Sequence, residues 1–432
     1  DRSDSHFILL ATDPGYLYDG RMHLIARLAA SVLALWASAL HAVEQVDPYF
    51  ESVGSTESIP DNNVSALAQD ASGFLWIGTP DGLIRYDGYR FDYFDNDLDD
   101  SGSLGGDFVR ALVAARDGRL WVGTNADGVT ILDPLDGDAI RLRAGAGPGG
   151  LASNTVRALA EDAGGGVYIG TRDGLDYWNA TTGQIEHLRR RYGESTTADD
   201  EHVVALRVDR HGNVWIGSLG GLGVRRAIGG VFERIVLASD SGRSLVGEQV
   251  QALIEREQGG MVIGTARRGS FVLDTAATAL RQIPVDPLGV AGDEVQPSVL
   301  ALLQPRADVL WIAAFGGIDV IDAEDFHLVR RIRPDPAVGS SLAHDQVRAL
   351  LRDSAGQIWI GGYGGGLQRH DPANEAIGIL RHSPGRAHTL SSPSVSSVLE
   401  IDPGTLWIGT RGNGVDVWDR QRGVIAGHRP DP

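Results

Sequence analysis

Leu75-Trp76-Ile77-Gly78-Thr79, followed at once by Asp81-Gly82-Leu83, is a phrase that the chain repeats along its length. It returns as Leu120-Trp121-Val122-Gly123-Thr124, as Val167-Tyr168-Ile169-Gly170-Thr171 and as Val214-Trp215-Ile216-Gly217-Ser218. Met261-Val262-Ile263-Gly264-Thr265 is a weaker copy, and Leu310-Trp311-Ile312-Ala313-Ala314 has lost the glycine. Ile358-Trp359-Ile360-Gly361-Gly362 and Leu406-Trp407-Ile408-Gly409-Thr410 close the series. Measured at the Trp position, the anchors fall at 76, 121, 168, 215, 262, 311, 359 and 407, at intervals of 45, 47, 47, 47, 49, 48 and 48. A repeat of this period means an array, a solenoid or a propeller.

The inside of one repeat chooses among these. Val64 to Gln69 is a short apolar-alternating run, and Asp70-Ala71-Ser72-Gly73 is a turn. Phe74 to Gly78 is nearly continuous apolar sequence, Thr79 to Gly82 turns again, and Leu83 to Tyr86 and Tyr89 to Phe94 follow around Asp87-Gly88. These are four short strands rich in β-branched and aromatic residues, separated by Gly- and Asp-containing turns. Helical signals are missing between them. Four antiparallel strands per repeat predict an all-β fold, a β-propeller of four-stranded blades. The second strand is apolar on both sides because stacked blades leave it no solvent face. The Trp is expected to fill the gap between blades, and the Gly two residues on to let the backbones approach.

Composition excludes several functions. The chain has 432 residues, 57 Gly, no Cys and a formal charge of −19, and all 38 of its basic residues are arginine. Without Cys or Lys there is no thiol nucleophile, no Schiff-base lysine and no P-loop. The acidic balance disfavours nucleic acid and anionic membrane surfaces as partners. No run reaches the about 20 apolar residues of a membrane span.

The first Met is Met22, so residues 1–21 read as upstream translation. Leu28 to Leu40 is apolar except for Ser31 and Ser38, and Ala37-Ser38-Ala39 suits a cleavage site. Residues 22–42 therefore read as a secretory signal peptide, and the protein as exported. Pro48 to Val53 looks like an outer strand arriving before the first repeat, the device by which propellers close. Repeats 1–7 occupy residues 43–393, and an eighth occupies 394–432, where the sequence stops on a repeat of Arg333-Pro334-Asp335-Pro336. Seven repeats plus the early strand make one ring with the eighth opening a second, or all eight make one ring; spacing leaves both open.

The combination of inner strand, Asp-x-x-Gly, Leu-Trp-Ile-Gly-Thr, x-x-Gly-Leu and aromatic-Asp resembles the two-component regulator propeller family. Phe74 to Thr79 with Asp81-Gly82-Leu83 and Arg85-Tyr86-Asp87-Gly88-Tyr89-Arg90-Phe91 is similar to that family's first repeat. The resemblance covers about residues 47–432. It implies a periplasmic sensor region, usually of two seven-bladed propellers, ahead of a β-sandwich, one membrane span and a histidine kinase or diguanylate cyclase output. Val262 for Trp and Ala313-Ala314 for Gly-Thr depart from the pattern and put strict ring symmetry in doubt at repeats five and six.

Function is expected at one mouth of the channel, where the loop between second and third strands varies from repeat to repeat. Arg172, Arg267, Tyr363 and Arg411 are the candidate ligand-binding residues, since arginines among aromatics suit a carboxylate- or sugar-bearing small molecule or oligosaccharide. Each also reads as an ordinary exposed turn residue. The inner-strand starts carry Asn63, Asn154, His202, Gln249, Gln296 and Gln346, a mainly amide ring suited to recognition rather than acid–base work.

No catalytic residue, metal site or cofactor emerges. His382 and His388 share a loop but have no third ligand. Asp95-Asn96-Asp97-Leu98-Asp99-Asp100 begins like a calcium loop but has Asp100 where the turn glycine belongs and Gly106 at the closing position. The favoured function is ligand sensing by a receptor that dimerises through its full length. The alternatives are a secreted propeller enzyme, a lyase or glycosidase acting on polysaccharide, and an interaction scaffold.

Overall fold

The computed structural model describes residues 48–55, 57–97, 99–100, 102–145, 149–188, 197–284, 298–336, 338–376, 380, 382, 389–419 and 423–429. Residues 1–42, Gln296 and His388, which carry some of the expectations above, lie outside them. Two compact units are present, Asp47–Gly378 and the segment from Ile379 onward.

Eight four-stranded antiparallel sheets account for the strands among the described residues. In blade 1 the strands run Ala66–Gln69, Leu75–Thr79, Gly82–Tyr86 and Phe91–Phe94, each hydrogen-bonded to the next. Blades 2 to 6 repeat this meander, with inner strands Val109–Ala114, Val156–Glu161, Val203–Val208, Val250–Glu255 and Val299–Arg306. Blade 7 takes Val347–Arg352, Ile358–Gly362 and Gly366–His370 from its own repeat and its outer strand, Glu51–Val53, from the chain start. Glu51 pairs with Arg369 and Val53 with Leu367. Phe50, 1% exposed, packs on His370 at 5.3 Å, and its N–H bonds Ser340 O at 2.9 Å.

The packing of glycine against valine closes the ring at seven. A Cβ on Gly78 would lie 2.6 Å from Val109, the first residue of the next inner strand. The same holds for Gly123 against Val156 at 2.7 Å, Gly170 against Val203 at 2.6 Å, and Gly264 against Val299 at 2.5 Å. Gly361 of blade 7 meets Val64 of blade 1 in this way, and Val64 N–H bonds Gly362 O at 3.0 Å. Blade 6, with Ala313, keeps the strand intact as Val309–Ala314.

The indoles fill the space between blades. Trp76 sits among Leu104, Val109, Leu120 and Val122 of the following blade. Trp76 and Trp121 are 0% exposed, Trp311 2%, and Trp215 and Trp359 5% and 6%. Each such ring removes about 150–250 Å² from water, an upper figure of roughly 4–6 kcal/mol at ~25 cal/mol per Å². Val262, in the weakest copy, fills its position with 0% exposure.

Within the second unit, Val395–Asp402, Thr405–Thr410, Gly414–Asp419 and Gly423–His428 form one more such sheet. Its inner strand is exposed along its whole length, and Trp407 is 42% exposed.

Candidate functional site

In blades 1 to 5 the Thr or Ser that ends the repeated phrase shapes the loop that follows it. Thr79 Oγ1 donates to Gly82 O at 3.0 Å and accepts the Asp81 N–H at 3.1 Å. Thr124, Thr171, Ser218 and Thr265 bond the carbonyls of Gly128, Gly174, Gly221 and Gly269 in the same manner. The turn ends on a residue that must be glycine: Gly82 has φ +123°, and a Cβ there would meet Phe94 O at 2.7 Å.

The next residue ties this loop to the start of the inner strand. The N–H groups of Asn125, Arg172, Leu219, Ala266, Phe315 and Tyr363 donate to the carbonyls of Phe108, Thr155, His202, Gln249, Ser298 and Gln346, at 2.9–3.2 Å. Pro80 occupies this position in blade 1 and has no N–H to give. Loop tips and inner-strand starts therefore share one mouth. Thr155, rather than Asn154, holds the inner-strand start in blade 3. Asn154 instead fastens the blade 2–3 connection, accepting Ala144 N–H on its side chain at 2.7 Å and Gly128 N–H on its carbonyl at 2.9 Å.

A β-bulge follows the inner-strand start in blades 2 to 7. Val109 pairs with Thr124 and Ala111 with Gly123, which leaves Arg110 as the extra residue. The same register shift isolates Arg157, Val204, Gln251, Leu300 and Arg348. A bulge re-aims a side chain, and here it turns these residues to the inner edge of the blades. Gln251 Nε2 reaches Ser298 Oγ at 2.6 Å and Val299 O at 2.7 Å, and Ser65 Oγ reaches Val109 O at 2.6 Å, in each case on the next inner strand. The bulged residues form a ring around the axis.

That ring is cationic over blades 2 and 3. Arg110 stacks on Phe108 at 4.2 Å and donates to Asn125 Oδ1 at 3.3 Å. Arg157 Nε is buried without a hydrogen-bond partner, as is His202 Nε2. Burial first, then the charges of Arg110 and Arg172, push Arg157 below the ordinary arginine range. Burial, then Arg157 and Arg172, lower His202 from the usual histidine value of 6.5, with Asp173 and Asp199 opposing. In blade 7 the Arg348 guanidinium lies over the Tyr363 ring at 4.4 Å.

Of the four residues expected from sequence, Arg172 and Tyr363 stand at this mouth beside the bulged arginines. Arg267 is 69% exposed and pairs with Glu248 at 3.4 Å, while its N–H bonds the same carboxylate at 2.8 Å. Arg411 belongs to the other unit, where its N–H bonds Ser394 O at 2.9 Å. Arg110, Arg157 and Arg348 went unread. Their signal was the inner-strand phrase Val-x-Ala, constant at its ends and variable at x. Asp322, Asp325 and His327 lie within metal-binding reach of one another. These groups are already engaged in the turn, where Asp325 caps the His327 N–H and its ring.

Four stretches, residues 58–81, 103–126, 150–173 and 341–364, match the family model described as two component regulator propeller. They are two-component regulator propeller repeats. Each runs through a connection, an inner strand and the second, aromatic-bearing strand to the start of the mouth loop. Among solved structures, the chain is similar to the extracellular domain assigned to hybrid two component system BT3049 from B. thetaiotaomicron. The TM-score is 0.72 at 22% identity, covering 88% of this chain and 49% of that one. It is also similar to PorZ, a surface component of the type-IX secretion system of Porphyromonas gingivalis, at TM-score 0.57, 16% identity, 86% of this chain and 54% of that one. Virginiamycin B lyase from Staphylococcus aureus shares the fold at TM-score 0.54 and 11% identity, over 74% of this chain and 98% of the lyase. The chain spans about half the length of the first of these structures. No curated protein matches it. No helix among the described residues is long and apolar enough to cross a membrane.

Proposed function

We propose that this chain is the ligand-sensing region of a membrane-bound signal-transduction receptor, exported to the periplasm, with its ligand bound at the channel mouth described above. The observation that carries the reading is the mouth itself. Guanidinium, imidazole, amide and aromatic groups converge there on the mouth loops, an arrangement suited to recognising a ligand. The likeness in fold to extracellular domains of hybrid two-component systems supports the same reading. Bound ligand would shift a packing equilibrium by its differential affinity for two arrangements and so bias the output module.

The exposed eighth sheet belongs to this proposal as the first blade of a second propeller. Trp407 is 42% exposed where Trp76 and Trp121 are 0%, and the inner strand beside it carries Val395, Val398, Leu399 and Ile401, each 46–60% exposed. An inter-blade face of this kind is stable when another blade covers it.

Two experiments test the function. Alkaline phosphatase fused after residue 432 should be active in cells, reporting export; an inactive, cytoplasmic fusion overturns the localisation. In the full-length receptor, Arg157→Ala with Arg172→Ala should abolish ligand-dependent output while leaving basal output in place. Unchanged ligand-dependent output would overturn the mouth as the sensing site.

A further inference from the structure

The arginines of blades 2 and 3 near the mouth lie beside one another rather than beside carboxylates. Many other guanidinium groups have a carboxylate: Arg85 with Asp92 at 2.9 Å, Arg210 with Glu255 at 2.5 Å, Arg333 with Asp319 at 2.6 Å and Arg369 with Glu51 at 2.5 Å. Such pairing is what a chain with 57 acidic and 38 basic residues provides by default. Among the described residues, Arg157 and Arg172 make no ion pair, and Arg110 has only an amide and a phenyl ring. Burial first, and then the neighbouring guanidinium charges, lower both Arg157 and His202. Asp173 and Asp199 lie within electrostatic reach of His202 and act on it more weakly than Arg157 and Arg172.

Like charges brought together on purpose-built bulges are stabilised by an anion that none of the local side chains supplies. The guanidinium fork suits an oxyanion bidentately, and a channel with low-dielectric walls focuses the field of several such groups. We infer that Arg110, Arg157 and Arg172, with His202 at the rim, form an oxyanion-binding site that takes a small molecule bearing at least two negative charges, as carboxylates, phosphate or sulfate. This deepens the proposed sensing function and rests on it for the biological meaning of the site, though not for binding itself. His202 is held toward its neutral form, so its ring nitrogen donates or accepts without adding a charge. The Arg348–Tyr363 pair of blade 7 offers a flat cationic face to the remainder of the same ligand.

The experiment uses the whole chain at constant ionic strength. Sodium phosphate, sodium sulfate, trisodium citrate and sodium chloride are compared by thermal shift and titration calorimetry. A polyanion is expected to raise Tm relative to chloride, and the order among citrate, phosphate and sulfate distinguishes carboxylate from phosphate or sulfate recognition. Arg157→Gln and Arg172→Gln are each expected to weaken binding by about tenfold or more, the loss of a charge-assisted contact. Arg157→Lys keeps charge but not the fork and should fall between. Arg267→Gln, whose partner is Glu248, should bind as the parent does. Without anion, the Gln variants should melt at or above the parent temperature, because a repulsion has been removed. The inference is overturned if no polyanion is preferred to chloride, or if Arg157→Gln and Arg172→Gln bind as the parent does. Intact anion binding with no ligand-dependent output in the full-length receptor would leave the site standing and remove the sensing function.

Discussion

The Asp209 carboxylate accepts the indole N–H of Trp215 at 2.9 Å while capping the N–H groups of His211 and Asn213 in its own turn. The first acid of the Asp-x-x-Gly turn thus holds the Trp that wedges the blades, six residues on. Asp70 with Trp76 and Asp353 with Trp359 repeat the relationship, both at 2.8 Å. In blade 3, where Tyr168 stands for Trp, Asp162 takes the Tyr177 hydroxyl instead at 2.9 Å.

Blade 2 breaks the relationship. Ala115 stands where the Asp belongs, and the buried Trp121 Nε1 has no acceptor. The turn is otherwise the same, with Ala115 N–H on Arg119 O at 2.8 Å and Gly118 N–H on Ala115 O at 3.0 Å. Ala115→Asp is therefore predicted to stabilise the protein by about 1 kcal/mol, and Asp209→Ala to destabilise it by about 1–3 kcal/mol. Urea midpoints at unchanged slope check both; an Ala115→Asp variant less stable than the parent would contradict the account.

Asp209 also sets an acid limit. Burial works against its carboxylate, but the Asn213, Trp215 and backbone donors prevail and hold it below the usual 3.8. A depressed folded-state value means that the stabilisation is present above 3.8 and is lost as pH falls through the lower, folded value. Melting followed from pH 5 to pH 2 should show a shallower decline below pH 4 in Asp209→Asn than in the parent.

The inter-blade glycines admit no methyl group. Gly123→Ala drives a Cβ to 2.7 Å from Val156, an overpacking cost of about 1–3 kcal/mol. Gly339→Ala, with nothing within 4 Å of the new carbon, is the neutral control. Chemical denaturation of the two variants distinguishes crowding from a general effect of replacing glycine.

Ring closure depends on one short strand. Phe50→Ala removes a ring that is 1% exposed and is predicted to cost about 3–5 kcal/mol. Proteolysis of this variant should begin at the chain start and blade 7, and equal susceptibility of all blades would argue against closure through Glu51–Val53.

Much of this was legible beforehand because repetition amplifies weak signals. One Leu-Trp-Ile-Gly-Thr is an ordinary strand, but eight at near-constant spacing fix the strand count, the turns and the wedge. The site was less legible. Arg172 and Tyr363 could be read from loop variability, while Arg267 read the same way and proved to be paired with Glu248. Arg110 and Arg157 were hidden because they sit inside strands, where alternation assigns a side chain to one face or the other. A bulge breaks that alternation, and only the register of the neighbouring strand reveals it.

Local chemistry, then, came from the sequence by itself: four strands per repeat, turns at glycine, a large apolar residue, mostly Trp, at each wedge and no lysine or cysteine for covalent work. These follow from nearest neighbours along the chain. The early strand that closes the ring was also legible, at Pro48 to Val53, and pairs as Glu51–Val53. The number of blades that close and the meeting of Arg110, Arg157 and Arg172 were decided by tertiary structure. Each depends on contacts between residues tens to hundreds of positions apart, such as Gly361 against Val64, whose geometry arises only when the sheets are stacked around an axis.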